Sequence, residues 1–295
     1  MSNITRIASI RAIFAAVEFI EAHLREEIAV ADIADAVGYS LYHFCRTFNG
    51  VIHHTPYDYL MRRRLSESAQ ELIETDRRII EIAFDYQFNT PETYSRAFKR
   101  MFGTQPNQWR KQGTIDRHFL MSRLTLEYIQ HINKGDYLKP VLEERDALRV
   151  AGVMTLVKDD RTVMVQQCAQ LWEILAQELG SAGNESELGD YYGIVSYPRG
   201  WSEHGFFYMA AIAVEGAETL GASLVVRTIP SSKYARFVHK GPAKDLGLTL
   251  EYIYQTWLPR SGESLACPLE IEHRGQDFGG PDNQDSERVI YIPIR

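Results

Sequence analysis

Apolar positions in the first third of the chain recur in a second copy. Phe44, Thr47, Phe48 and Val51 keep the i, i+3, i+4, i+7 spacing of one buried helix stripe, and Tyr94, Ala97, Phe98 and Met101 keep the same spacing at an offset of 50. Ile33-Ala34 returns as Ile82-Ala83, and Arg46, Phe48 and Pro56 return as Arg96, Phe98 and Pro106. The single-residue slip between these offsets falls at Gly38-Tyr39-Ser40 against Gln87-Phe88-Asn89-Thr90. A turn absorbs such an insertion and a helix does not. Short segments at residues 30–37 and 79–86 precede the two stripes, so each copy reads as helix, tight turn, helix. Asp32 suits a first helical turn, Gly38 the turn itself, and Pro91 the first turn of the following helix.

Burying the stripes turns Tyr42, Cys45, Arg46 and Asn49 outward on one helix, and Glu92, Thr93, Arg96 and Arg100 outward on the other. Residues 56–74 join the copies, and Met61, Leu65, Ser68 and Leu72 give that connector one buried stripe. If a stiff connector of this kind sets a spacing of about 34 Å, both reading helices can enter successive major grooves on one DNA face without a dimer.

After Gln112-Gly113-Thr114 the period changes. Residues 115–139 read as a helical or irregular connector. Strand patterns follow at 148–157, 191–197 and 206–214, with a helix at 164–179 carrying Leu171, Trp172, Leu175 and Leu179. The order then repeats, with a strand at 233–239, a helix at 243–258 and strands at 268–273 and 288–294. The expected fold is therefore two domains: an all-α tandem helix-turn-helix domain at 1–113, a connector at 114–136, and an α+β domain at 137–295 built from duplicated β-α-β-β units. Such a duplication predicts an antiparallel sheet with helices on one face and a concavity opposite.

Composition narrows the function. At 295 residues, 45% hydrophobic and 24% charged, the chain has enough apolar side chains for two cores. Its longest apolar runs fall short of a membrane span. The first residues lack the uninterrupted apolar core and cleavage site of a secretory signal, so a cytoplasmic protein is expected. Three well-separated cysteines form no CxxC and predict neither a disulfide framework nor a zinc site. The net charge of −7 is unevenly spread, because residues 1–113 carry 14 basic and 14 acidic side chains and the remainder carries the whole deficit. His43, His53 and His54 lie close in sequence but have no thiolate or carboxylate beside them to complete a metal set. No GxSxG, phosphate loop or GxGxxG is present, so no catalytic residue, metal or cofactor is expected.

The stretches RRRLSESAQELI, IIEIAFDYQF and SRAFKRMFGTQPNQWR, within residues 20–110, resemble the arabinose-regulator (AraC/XylS) family of bacterial transcription factors. Their register is similar to the right-origin-binding and multiple-antibiotic-resistance subclass. That resemblance implies double-stranded DNA as partner, with RNA polymerase as a further one. By position it implies Tyr42, Cys45 and Arg46 as base-facing on the first helix, and Pro91, Glu92, Thr93 and Arg96 on the second. The subclass usually has Trp and Gln where this chain has Tyr42 and Cys45, and glutamines where it has Pro91 and Glu92. Cys45 cannot make a bidentate amide contact to adenine, and Glu92 accepts only from cytosine N4. Arg46 and Arg96 are the expected base readers, with phosphate contact or a plain surface position as the alternative. Arg62-Arg63-Arg64 offers a phosphate patch for one or two side chains, or a solvated helix face with one buried stem.

The segments IPSSKYARFVHKGP, YIYQTWLPRSGESL, CPLEIEH and VIYIPIR resemble the GyrI-like effector-binding domain, over residues 137–295. This implies a small-molecule effector in a central groove. The family-like acidic position falls at Glu270, with Glu272 next to it in rank, and Trp172, Tyr208, Tyr234 and Trp257 are the aromatic candidates against ordinary core packing. Aromatic walls with a carboxylate suit a hydrophobic cation. The whole chain then reads as a DNA-binding regulator that senses such a ligand. The alternatives are a regulator whose second domain is a protein-interaction module, and an enzyme acting on a bound small molecule through an acid and a tyrosine.

Overall fold

The computed structural model describes residues 3–113, 119–135, 138–158, 161–180, 190–197, 205–214 and 223–295. The chain separates into two compact units. Unit 1 holds Met1–Lys134 with Leu250–Pro259, and unit 2 holds Gly135–Thr249 with Arg260–Arg295. The sequence boundary at 113 thus falls inside unit 1. The part of the 114–136 connector that lies at 114–118 and at 136 is outside the described residues. Beyond it, Leu120, Met121 and Leu124 are buried, and α8 follows.

Unit 1 is helical: α1 (Asn3–Ala22), α2 (Val30–Ala36), α3 (Leu41–Ile52), α4 (Pro56–Glu74), α5 (Ile79–Asp85), α6 (Pro91–Phe102), α7 (Pro106–Gln112) and α8 (Leu126–Ile132). The pairs α2–α3 and α5–α6 are the two helix-turn-helix copies. Their turns close alike, with the Tyr39 amide donating to the Ala34 carbonyl and the Phe88 amide to the Ala83 carbonyl. Each turn contains one left-handed residue, Gly38 at φ +70° and Gln87 at φ +66°. Glycine adopts that conformation freely, whereas Gln87 is held there while its side-chain amide donates to the Arg25 carbonyl at 2.6 Å. Thr55 caps α4 and Thr90 caps α6, each followed by a proline at the first helical position.

The stripes are buried as the periodicity demands, with Phe44, Phe48 and Val51 inward on α3 and Tyr94 and Phe98 inward on α6. Leu65, Ala69 and Leu72 of α4 pack with Ile82, Tyr94, Phe98 and Trp109 into one cluster. α4 also buries Arg63 and Arg64. The Arg63 guanidinium grips the Glu21 carboxylate with Nε at 2.8 Å and Nη2 at 2.9 Å, and Arg64 donates to the carbonyls of Leu24 and Glu26. Two of the three arginines at 62–64 are therefore internal, where the sequence reading allowed for one buried stem. Only Arg62, paired with Asp58, stays near the surface.

The segment Leu250–Pro259 completes unit 1. Tyr252–Trp257 is a π-helical turn, an irregularity that the sequence periodicity at 243–258 did not reveal. Thr256 Oγ1 lies 3.2 Å from His54 Nε2 and 3.2 Å from the Tyr128 hydroxyl, and Gln255 exchanges hydrogen bonds with Ser122.

Unit 2 is one eight-stranded antiparallel sheet: β1 (Val141–Arg145), β2 (Leu148–Val157), β3 (Tyr191–Ser196), β4 (Phe206–Ala213), β5 (Val225–Ile229), β6 (Ser232–Lys240), β7 (Leu269–Arg274) and β8 (Glu287–Ile294). The order across it is β1-β6-β8-β7-β3-β4-β2-β5. The two expected β-α-β-β units are β2-α9-β3-β4, with α9 at Arg161–Glu178, and β6-α10-β7-β8, with α10 at Leu246–Glu251. They meet at the β3–β7 pair. The sequence reading missed β1 and β5. Each is short, precedes the first strand of its own unit, and pairs instead with the first strand of the other unit, β1 on β6 and β5 on β2. Their burial pattern is mostly exposed, so they lack the alternation that marks a half-buried strand. α9 covers one sheet face through Leu171, Trp172 and Leu175, against Val153, Tyr191 and Tyr208.

Candidate functional site

α3 and α6 present their outer residues in matching registers. Tyr42 is 78% exposed, and Arg46 and Arg96 stand in equivalent exposed positions on the two helices. Neither arginine makes an ion pair or a hydrogen bond among the described residues. Both guanidiniums thus keep all five N–H donors available, the fork that reads guanine O6 and N7. Lys99 and Arg100 add exposed cationic charge in the last turn of α6. The remaining expected contacts differ in availability. Cys45 is half-buried, Glu92 is exposed, and Pro91 is the half-buried first residue of α6. Thr93 is engaged in its own helix cap: its amide donates to Thr90 Oγ1 at 3.1 Å and its hydroxyl to the Thr90 carbonyl at 2.8 Å. That role orients α6 and leaves its hydroxyl little spare capacity for a base.

In unit 2, strand parity decides which candidates meet. On the β3–β7 pair, Glu270 opposes Val195, Glu272 opposes Gly193 and Arg274 opposes Tyr191. All six face α9, as does Tyr208 of β4. Trp172, Tyr208, Glu270 and Glu272 are therefore gathered on one face. Gly193 makes room there, because a Cβ on it would stand 2.6 Å from the Tyr208 hydroxyl and 3.0 Å from Glu272 Oε2. Trp172 Nε1 donates to the Tyr208 hydroxyl at 3.0 Å, which in turn approaches Glu272 Oε2 at 3.5 Å. Tyr197 donates to Glu270 at 2.7 Å.

Two expectations change here. Glu272 is not an available anion: Arg274 Nε and Arg288 Nη1 both donate to its Oε1 at 3.0 Å. Burial pushes this carboxyl up, but the two guanidiniums outweigh it and hold the group below the ordinary carboxylate range. Tyr234 does not join the cluster. Tyr234 has the opposite strand parity, packs edge-on against Tyr291 at 6.2 Å and donates to the Pro230 carbonyl. Trp257 belongs to the π-helical turn of unit 1.

The other sheet face carries a cleft of about 300 Å³, lined among others by Ile194, Ser196, Arg227, Ile229, Cys267 and Leu269. Concavity and acidic candidates, expected together, lie on opposite faces. Sequence reasoning also missed Arg274 and Arg288. The run Glu270-Ile271-Glu272-His273-Arg274 contains the signal for the first, since period 2 places residues 270, 272 and 274 on one face. Arg288 reaches Glu272 only through the β7–β8 pairing.

Burial also sets the thiol chemistry. Cys168 of α9 is pushed up to about 12, mainly by burial and further by the Glu272 charge. Among the described residues no group of His, Cys, Asp and Glu is placed to hold a metal ion, and no helix is long and apolar enough to cross a membrane.

Comparison with known proteins matches residues 33–112 to a family described as "Helix-turn-helix domain" and residues 138–295 to one described as "GyrI-like small molecule binding domain". The chain is 37% identical over 100 residues to the "Uncharacterized HTH-type transcriptional regulator YbfP" of Bacillus subtilis (strain 168), an alignment covering 34% of each protein. It is 38% identical over 93 residues to the "Right origin-binding protein" of Escherichia coli (strain K12), covering 32% of each. With the "Probable transcription factor PqrA" of Proteus vulgaris it shares 40% identity over 98 residues, covering 33% of this chain and 80% of that one. The chain thus aligns with about a third of the length of the first two relatives.

Proposed function

The chain belongs to the GyrI-like small molecule binding domain family and carries a helix-turn-helix domain ahead of that region, and from this combination we propose that it is a sequence-specific DNA-binding transcription regulator whose unit 2 senses a small molecule. One observation carries the DNA half of the reading: α3 and α6 expose Arg46 and Arg96 in the same register, on two copies of one motif, with no protein partner among the described residues. Two such helices on one chain read an asymmetric site as a monomer.

The ligand half rests on the α9-covered face of unit 2, where Trp172, Tyr208 and Glu270 are gathered. The positive charge expected of that ligand from the sequence rests on Glu270, because the Glu272 carboxylate is already met by two guanidiniums.

The test is selection of duplex sequences from a random pool by the full chain, followed by titration of the selected site with Arg46→Ala and Arg96→Ala. Each variant is expected to lose about 1–3 kcal/mol of binding and to relax preference at a different base pair. Enrichment of no sequence, or equal weakening on specific and random DNA, sinks the base-reading assignment. Loss of specific binding in neither variant does the same.

A further inference from the structure

The face of unit 2 turned away from α9 is crossed by its own chain. Asp146 and Ala147 alone join β1 to β2, and Pro230 and Ser231 alone join β5 to β6, although β1 and β6 lie at one side of the sheet and β2 and β5 at the other. Such a link reaches only about 10 Å, so the sheet curls and both links cross its hollow face. They carry Leu148 and Ile229 into one apolar cluster with Ile194 and Ile271, the opposed residues at the middle of the β3–β7 pair.

On either side of that crossing the β3–β7 pair offers two facing side chains. At one end Tyr192 opposes His273, and their rings stack with centroids 4.9 Å apart and planes 19° from parallel. At the other end Ser196 opposes Leu269, and these smaller side chains leave the cleft of about 300 Å³. That volume is at the lower end of sites that hold a small molecule.

Arg227 of β5 is the one ionised side chain among the described residues that line the cleft. Its Nη1 donates to Ser196 Oγ at 3.2 Å and lies 3.7 Å from Met154 Sδ. Ser196 accepts that bond and keeps its own O–H to donate. Two carboxylates stand nearby without lining the cleft. Glu270 is on the α9 face and accepts from Tyr197 at 2.7 Å, and Asp146 lines a separate small hollow with Arg145.

We infer that this cleft is a ligand site distinct from the α9 face and takes a planar aromatic carboxylate. The ring lies against Ile194, Ile229 and Leu269, where the other end of the pair places its own stacked rings, and the carboxylate accepts from Arg227 and the Ser196 hydroxyl. The assignment does not depend on the α9 face being occupied.

Calorimetric titration of the full chain with naphthalene-2-carboxylate and naphthalene-2-carboxamide tests it, beside alkylation of Cys267, which lines the cleft. The carboxylate is expected to bind saturably, about fivefold more tightly than the carboxamide, as an ion pair at an exposed arginine allows. It should also slow alkylation of Cys267 and not of Cys45. Arg227→Gln, at an exposed position, should erase the preference. Ser196→His together with Leu269→Tyr copies the ring pair of the other end and should close the cleft to both probes. Should that double variant fail to fold, Arg227→Gln and the protection of Cys267 still decide. Equal binding of the two probes overturns the carboxylate assignment. Binding that survives in the folded double variant, or that leaves Cys267 open to alkylation, overturns the cleft as the site and leaves small-molecule sensing by unit 2 standing. Binding of neither probe overturns the proposal, whereas the α9-face reading fails only if lipophilic cations do not bind either.

Discussion

Replacing Arg63 by Met separates a phosphate contact from a structural ion pair. The guanidinium makes four hydrogen bonds: two to Glu21, one to Glu67 and one to the Met121 carbonyl. Met preserves the apolar stem and removes all four. Glu21, whose side chain is 7% exposed, is then left with the Tyr59 hydroxyl at 2.7 Å as its remaining partner among these groups. Breaking a buried pair from one side costs about 3–5 kcal/mol. For a unit of this size that corresponds to a fall of roughly 10–15 °C in the unfolding midpoint. The assay is thermal and urea unfolding of the full chain by far-ultraviolet circular dichroism, beside the slope of DNA affinity against salt. Arg62→Ala is the control, since its partner Asp58 is 42% exposed and such pairs contribute at most about 1 kcal/mol. Adding Glu21→Gln to Arg63→Met should recover much of the loss, because the stranded charge is removed with its partner. Unfolding shifted by less than about 1 kcal/mol, together with a shallower salt slope, would refute the internal role and restore Arg63 to a phosphate patch.

Three further outcomes are expected. Gly193→Ala drives a Cβ against the Tyr208 hydroxyl and Glu272, so it should destabilise unit 2 by about 1–3 kcal/mol and weaken ligand binding; unchanged stability by urea unfolding contradicts the close approach. Asp58 should contribute to the acid limb of unit 1. Burial pushes its carboxyl up, but the His54 hydrogen bond and the Arg62 guanidinium outweigh this and hold it at about 2, against 3.8 ordinarily. A depressed folded value means the contribution is complete above about pH 4 and is lost as pH falls toward 2. Asp58→Asn should therefore flatten acid unfolding in that window, and an unchanged limb would remove the assignment. Cys168, with its thiol raised to about 12, should react with iodoacetamide at pH 8 only when unit 2 opens; labelling as fast as in urea would show that α9 does not hold it against the sheet.

The amino-acid sequence by itself determined the tandem repeat, the inward stripes of α3 and α6, the outward positions of Arg46 and Arg96, and six of the eight strands. These are local properties: 3.6-residue and 2-residue periods state which side of its own element a residue takes, and a proline or a slip marks where the element ends. Tertiary structure alone decided what lies across from each side. Arg63 and Arg64 look like surface charge until α1 and the Met121 segment close over α4. β1 and β5 are strands only because the opposite unit offers an edge, and the π-helical turn takes its place in unit 1 through partners far away in sequence. Glu272 reads as an open carboxylate until β8 brings Arg288 beside it. Strand neighbours are fixed by long-range hydrogen-bonded pairing, which no local period records, so the ion pairs around Glu272 were decided by the order of the sheet.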